Sequence, residues 1–459
     1  MLRIIIVLLV IIVIAIQFIR PPLDNPPVTG DLQAPPEVKQ ILVRACYDCH
    51  SNQTQLAWFD QVAPAYWTVV RDVRAGRAVL NFSNWDSLSA FNQTFKLYEC
   101  VMMVEQHAMP LSSYSTFHHG GIITADDIEV LKKYTLTLAY KPTPDPAREQ
   151  AVEAQFTQWA AANDGNSEAR IAAVKDEVNG IGYKDLSDWS NWELVSSTER
   201  FDIGTLMMIR GNAIAVKAIR EGHTRPYPDG AIFCKTAYLQ NPDSNGETRP
   251  GIFLQTEFMI KDSKKYADSY GWGWARWLNG MALQPYAKEA SFVTECMRCH
   301  KPFVKSDYTY TMPLVDTIRL YDHGTAVADS LGGRPLTGRL ITNFVNRNEK
   351  TTSSLIGNDV ATASARSGKE YAAGSVITLV NWAQKADEHY FGAWMPGELR
   401  SVEVLKFGAD GKPSYTLYAG PGLEKKIADS GTVAQRVQYI TARKAEVAPV
   451  GAIDVATAP

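Results

Sequence analysis

With 459 residues, 46% of them hydrophobic and 21% charged, the chain is long enough for two to four globular domains of ordinary size. A formal net charge of −3 supplies neither the basic surface that nucleic acid needs nor a strong acidic field. Six cysteines, four of them in two C-x-x-C pairs, fit a metal or cofactor site and not a disulfide framework.

Met1-Leu2-Arg3 precedes an apolar run from Ile4 to Ile19, broken only by Gln17. The run is short for a membrane span, which takes about 17–25 residues. It is longer than many signal-peptide cores of about 7–15 residues, and no small-x-small cleavage site follows. Nearly every position is Leu or β-branched with no polar face, which argues against an ordinary core helix. An uncleaved transmembrane signal-anchor over residues 1–20 is therefore expected, with a removed signal as the alternative. Arg3 and Arg20 flank the run and do not orient it. Residues 21–36 hold six prolines and read as an extended linker.

A first globular unit covers 37–145 and ends at the proline punctuation Lys141–Pro146. It opens with Cys46-Tyr47-Asp48-Cys49-His50, and the same C-x-x-C-H pattern returns as Cys296-Met297-Arg298-Cys299-His300. Two thiols at this spacing can add to the two vinyl groups of one haem, and the adjacent His then lies under the iron. The expected cofactors are thus two covalently bound c-type haems, with Cys46, Cys49, Cys296 and Cys299 as attachment points and His50 and His300 as iron ligands. A thiol redox pair or half a zinc site is the competing reading. Attachment of c-type haem takes place outside the cytoplasm. This puts the soluble domains in the periplasm and the anchor in the inner membrane.

The stretch SNQTQLAWFDQVAPAYWTVVRDVRAGRAVLNFSNW, from Ser51 to Trp85, resembles a small haem-binding domain of bacterial exported proteins. Ala63-Pro64, Trp67, Gly76-Arg77 and Asn81-Phe82-Ser83 carry the likeness over roughly residues 37–140. The resemblance implies a mainly α, cytochrome c-like electron-transfer domain with a sixth iron ligand. Met109, in Ala108-Met109-Pro110, is the candidate, and His107, His118 and His119 compete with it. Met102 and Met103 read as helix packing.

Residues 146–175 read as a helical linker. Beyond it, 176–315 and 316–440 repeat one plan. Gly211-Asn212, Ala215, Arg220 and Gly222 recur as Gly357-Asn358, Ala361, Arg366 and Gly368, offset by 146 residues throughout. Each Asn can cap a short helix and each final Gly can end it. Thr256-Glu257 is echoed by Val402-Glu403 at the same offset. A period this long indicates a duplicated domain. The tail 441–459, rich in Ala, Pro and Val beyond Val447, reads as loose.

Residues 176–315 resemble cytochrome P-460 and its relative cytochrome c-prime-beta. The carriers are Gly204-Thr205-Leu206, Gly211-Asn212, Pro228-Asp229-Gly230, Lys235, Glu257, Lys261-Asp262, Cys296–Lys301 and Lys305-Ser306-Asp307 with Tyr310-Thr311. The resemblance implies two α+β domains with antiparallel sheets, and a five-coordinate haem over His300. It also implies a lysine, Lys235, that bonds to the haem macrocycle, and a distal carboxylate, Glu257, that serves as general base. From the residues alone, Lys235 shares a strand face with Phe233, Ala237 and Leu239, where an amine is costly unless something uses it. A snorkelling lysine and a solvated glutamate are the plain alternatives. Family members often carry Arg where this chain has Met207, so the distal cation is missing or Arg210 replaces it. Cys234 points away from Lys235 and, with Cys100, is a thiol without an assigned use.

The third unit keeps Glu403, has Asn381 at the repeat offset from Lys235, and contains no cysteine. It resembles haem-free relatives of the same fold and is expected to be a structural or docking copy. His389, Tyr390 and Trp394 read as aromatic packing. Together these readings describe a membrane-anchored dihaem cytochrome that oxidises hydroxylamine or a similar small nitrogen compound. Electrons would leave through the N-terminal haem to a partner cytochrome or a membrane electron-transport complex. A nitric oxide or other gas binder and an electron-transfer subunit are the rivals, and a homodimer is an open oligomeric form.

Overall fold

The structure, a computed structural model, describes residues 2–162, 167–177, 180–286, 292–310, 313–314, 338–420 and 422–453. Parts of the expected helical linker (163–166), third unit (316–337) and tail (454–459) lie outside the described residues. The chain divides into two compact units, Met1–Ala139 and Tyr140–Pro459.

The first unit is helical: α1 (Leu2–Ile16), α2 (Pro36–Ala45), α3 (Tyr47–His50), α4 (Ala65–Val79), α5 (Ala90–Glu105), α6 (Ser112–Phe117) and α7 (Ala125–Thr137). Ser89 caps α5 by accepting from the Asn92 N–H, and Thr124 and Asp127 form a capping box on α7. Val38, Leu42, Val70, Val73, Val101 and Leu131 are buried.

The transmembrane expectation fails here. α1 has 15 residues, which at about 1.5 Å per residue falls short of a hydrocarbon core about 30 Å thick. Among the described residues no helix is long and apolar enough to cross a membrane. The expected N-terminal anchor, and the inner-membrane placement built on it, are therefore not supported. What ends the helix is Gln17. Its amide donates to Val13 O at 2.9 Å and Ala63 O at 3.0 Å, and accepts from Ala63 N at 2.8 Å. The chain then runs along the domain instead of hanging free. Trp67 Nε1 donates to Ile19 O, Tyr66 Oη to Pro21 O and Asn52 Nδ2 to Pro27 O, and Gly30 bridges Asn84.

The second unit begins with α8 (Pro146–Ala162) and α9 (Ser167–Ala173). Phe156 and Trp159 of α8 are buried in its main core, so this segment belongs to the unit and is not a linker. The strands follow: β1 (Glu193–Arg200), β2 (Thr205–Gly211), β3 (Ile232–Pro242), β4 (Glu247–Lys261), β5 (Trp272–Leu278), β6 (Gln284–Pro285), β7 (Arg339–Asn346), β8 (Thr351–Gly357), β9 (Val376–Ala386), β10 (Ala393–Phe407), β11 (Pro413–Ala419) and β12 (Glu424–Lys426). The helices α10 (Ala213–Glu221), α11 (Phe292–His300), α12 (Asp359–Arg366) and α13 (Ser430–Thr441) are interleaved. Asn212 and Asn358 cap α10 and α12, as their recurrence suggested.

The two copies do not stand as separate domains. Strands β1–β4 and β7–β10 run antiparallel around one closed ring, sealed where β1 meets β10 and β4 meets β7. The seams are equivalent: Glu199 pairs with Trp394 and Arg200 with Ala393 at one, Thr248 with Val345 and Glu247 with Asn346 at the other. Closure removes the free edges that each half-sheet would expose.

Register corrects one assignment. Lys235 lies opposite Glu257, whereas Leu379 lies opposite Glu403, so Leu379 and not Asn381 is the counterpart of Lys235. The second copy has a shorter path into β9 and a longer β9–β10 hairpin, and the two changes cancel by β10. The tail is not loose either. Ala445, Val447 and Ala448 are buried, Tyr238 Oη donates to Val447 O at 2.8 Å, and Glu446 forms an ion pair with Arg210 in the interior.

Removing one partner of that pair leaves an uncompensated charge inside the barrel. Glu446→Ala is expected to cost the second unit roughly 3–5 kcal/mol in urea unfolding, against under about 1 kcal/mol for an exposed pair such as Lys444–Glu153.

Candidate functional site

In the first unit, α3 is a single turn closed by Cys49 N and His50 N, which donate to Cys46 O at 3.2 and 2.9 Å. This sets Cys46, Cys49 and His50 on one local scaffold. His50 Nδ1 lies 3.1 Å from Gly76 O and 3.2 Å from Leu80 O. Carbonyls only accept, so Nδ1 carries the proton and Nε2 is left for a metal. A Cβ on Gly76 would stand 2.6 Å from Cys49 O and 3.3 Å from His50 Cε1, so only glycine lets α4 come this close. The neighbouring motif residues fix the same turn. Arg77 Nε donates to Ser51 O at 2.7 Å, and Phe82 stacks on Tyr47 at 5.1 Å while its N–H reaches His50 O at 2.8 Å. Ser83 Oγ accepts from Asn52 N at 2.9 Å.

Met109 sits on the turn after α5, 37% exposed, with its N–H on Met103 O. His118 is engaged elsewhere: Nδ1 on Tyr114 O at 3.1 Å and Nε2 on Asp60 at 2.9 Å. His107 and His119 are exposed. Met102 is buried in α5, as a packing residue should be.

In the second unit the C-x-x-C-H motif closes α11. His300 Nδ1 donates to Tyr308 O at 2.7 Å, again leaving Nε2. Its ring lies between Trp274 and Tyr310, each 4.4 Å away centroid to centroid. Burial pushes the imidazole down to about 3, so it stays neutral, as an iron ligand must. Lys261, ion-paired with Asp307 at 2.9 Å, ties the end of β4 to the segment that follows the motif.

Lys235 and Glu257 meet on the outer face of the sheet, where strand register places them opposite each other. Lys235 Nζ is 2.5 Å from Glu257 Oε2. The other carboxylate oxygen takes Gln255 Nε2 at 2.5 Å and Arg276 Nε at 3.0 Å. Burial alone would raise the Glu257 carboxyl. The charges of Lys235 and Arg276 outweigh it and hold the group at about 2. Arg210 does not replace the absent cation at Met207, because it points into the barrel toward Glu446. Arg276 on β5 supplies a cation instead. Sequence reasoning missed it, although an arginine on the face of Trp272 and Trp274 was a readable signal. Cys234 is fully buried on the opposite face, and no disulfide forms among the six cysteines.

The matching face of the second copy is built differently. There α13 follows β10 and β11 as α11 follows β4 and β5, and Arg436 grips Glu403 through Nε and Nη2 at 2.8 and 2.6 Å. Asn381 Nδ2 and Tyr415 Oη complete the set, beside a polar cavity of about 530 Å³.

Burial pushes the thiols of Cys46 and Cys296 up to about 12 and that of Cys49 to about 11. A redox C-x-x-C pair needs the reverse, a thiolate stabilised by its surroundings. Among the described residues no group of three or more His, Cys, Asp or Glu could hold a bare metal ion. Each unit instead offers a paired-cysteine turn with a backed, neutral histidine, and these residues fit haem.

The chain is accordingly a haem cytochrome. Residues 11–137 match the haem-binding domain family and residues 186–311 match the cytochrome P460 family, so the protein is a fusion of those two domains. A search of curated proteins finds no match.

Two outcomes follow. Gly76→Ala should lower haem content in the first unit and cost about 1–3 kcal/mol through overpacking, read by haemochrome absorbance and urea unfolding. The Glu257 ion pairs should stabilise the second unit fully above pH 4.5 and lose that contribution as pH falls toward 2. In Lys235→Met the loss should begin at higher pH.

Proposed function

We propose that the protein carries two covalent c-type haems, on Cys46 and Cys49 with His50 and on Cys296 and Cys299 with His300. It oxidises hydroxylamine, or a similar small nitrogen compound, at the second. Haem iron, when bound, supplies an open coordination position and accepts electrons. The chain's own residues supply the rest. The observation that carries the reading is the three-donor grip on Glu257, on a polar wall that a simple gas-binding pocket has no need of.

Glu257 accepts the substrate proton at Oε2, the oxygen that faces Lys235. With the ammonium in place the carboxylate is a weak base, far from the operating pH. If a haem-ring C–H and an Nζ–H of Lys235 were replaced by a C–N bond, with the released hydrogens taken up by an oxidant such as a peroxide, the resulting ring-attached amine would no longer carry that positive charge. Burial would then push the carboxyl up toward a range where it can take a proton. Arg276 and Gln255 keep Oε1 fixed, so only Oε2 is left to move a proton. The N-terminal domain, where Met109 could supply a further ligand to the haem iron, would pass the electrons on toward a partner cytochrome or electron-transport complex.

Hydroxylamine should reduce the holoprotein, and Glu257→Ala should slow that reduction by 10²-fold or more, the usual range for a general base. Mass spectrometry should find Lys235 joined to the haem peptide Cys296–His300. No reduction by hydroxylamine, with Lys235 free and Glu257→Ala unchanged, would refute the reading.

A further inference from the structure

The haem-free copy has an unexplained feature. Its β9–β10 hairpin, residues 387–392, is two residues longer than the matching hairpin 243–246 of the first copy. The extra length carries His389 and Tyr390 across to the C-x-x-C-H motif. His389 Nδ1 hydrogen-bonds Tyr310 O, and its ring packs on Phe303 at 5.0 Å. Because a carbonyl can only accept, Nδ1 is the protonated nitrogen. Tyr310 in turn packs edge-on against His300 at 4.4 Å, and its hydroxyl donates to Cys299 O at 2.8 Å. The hairpin is itself held. Arg200 covers the Tyr390 ring at 3.8 Å and donates to its hydroxyl at 2.7 Å. Asp387 Oδ1 accepts from His389 N at 2.9 Å.

We infer that His389 is a positioning residue for the axial histidine: the haem-free copy holds His300 in place through Tyr310. The carbonyl that accepts from His300 Nδ1 belongs to Tyr308, two residues before the Tyr310 carbonyl that His389 holds. Loosening the second loosens the first. A weaker hydrogen bond at Nδ1 makes the imidazole a poorer donor to iron, which disfavours the ferric state. This gives the second copy a use that neither haem attachment nor symmetry requires. The inference rests on the proposed attachment of haem at Cys296 and Cys299.

The test uses the full-length holoprotein. Mass spectrometry of the wild type first checks for haem on Cys296 and Cys299. Its absence would end the functional reading, and the inference with it. With haem present, His389→Ala should raise the midpoint potential of that haem and lower the iron–histidine stretching frequency. His389→Asn, which keeps a donor for Tyr310 O, should restore both toward wild type. Unchanged potential and stretch in His389→Ala would overturn the inference. If His389→Ala fails to retain haem, His389→Asn decides. Recovery of haem with near-wild-type potential supports the positioning role, and a variant as defective as His389→Ala overturns it.

Discussion

Closure of the second unit's sheet at two equivalent seams is the constraint on which the rest depends. An antiparallel sheet with open edges leaves backbone donors and acceptors unpaired. Each half here contributes four strands, and each supplies the edge the other lacks. Glu199 shows how closely the halves are joined. It is buried at the first seam and satisfied by Arg347 and Gln384 of the second half, at 2.8 and 2.7 Å. Asn343 reaches Ser197, its own repeat counterpart, across the interior at 3.3 Å. The barrel interior is then completed by the C-terminal segment around Glu446.

With the interior filled, chemistry is left to the outer faces, and the two halves use theirs differently. In the first half, the helix after β5 carries Cys296, Cys299 and His300, and a charged cluster around Glu257 faces it. In the second half, the helix after β11 carries Arg436 and Tyr439, and the equivalent carboxylate Glu403 is tied down by an arginine fork. A bidentate arginine–carboxylate pair is rigid and leaves no labile proton site. Glu257 is held instead by a separate lysine, glutamine and arginine, so altering one donor retunes the carboxylate without releasing it. The same fold thus holds one carboxylate by a lysine, a glutamine and an arginine, and its twin chiefly by an arginine fork.

Duplication also lets each half reach across to the other. Each β-hairpin between the third and fourth strand of a half extends over the opposite half. Asp243 and Asn245 of the first line the polar cavity beside Glu403, and His389 and Tyr390 of the second reach the segment that supports His300. The small N-terminal domain solves its own version of the problem with a single close approach of α4 at Gly76 and no second copy. Both units hold the histidine the same way, through Nδ1 on backbone carbonyls.

Much of this was legible in the sequence because its signals are local. Two C-x-x-C-H turns, the helix-capping asparagines at Asn212 and Asn358, and the strand alternation placing Lys235 apart from Cys234 all depend on residues close in the chain. The helical first unit and the antiparallel sheets beyond it were readable for the same reason. The length of α1 was not, because the helix ends where Gln17 meets Ala63, a contact across 46 residues. Nor was the tail, whose alanines and valines resemble a loose end until a barrel encloses them. Arg276 and His389 join their sites only through strand pairing and hairpin reach. The sequence by itself determined where the two C-x-x-C-H turns fall and that Lys235 and Cys234 take opposite strand faces. Only the tertiary structure decided that the two copies share one barrel, that Leu379 and not Asn381 answers Lys235, and which cation faces Glu257. Those outcomes depend on register and long-range closure, which no local pattern encodes.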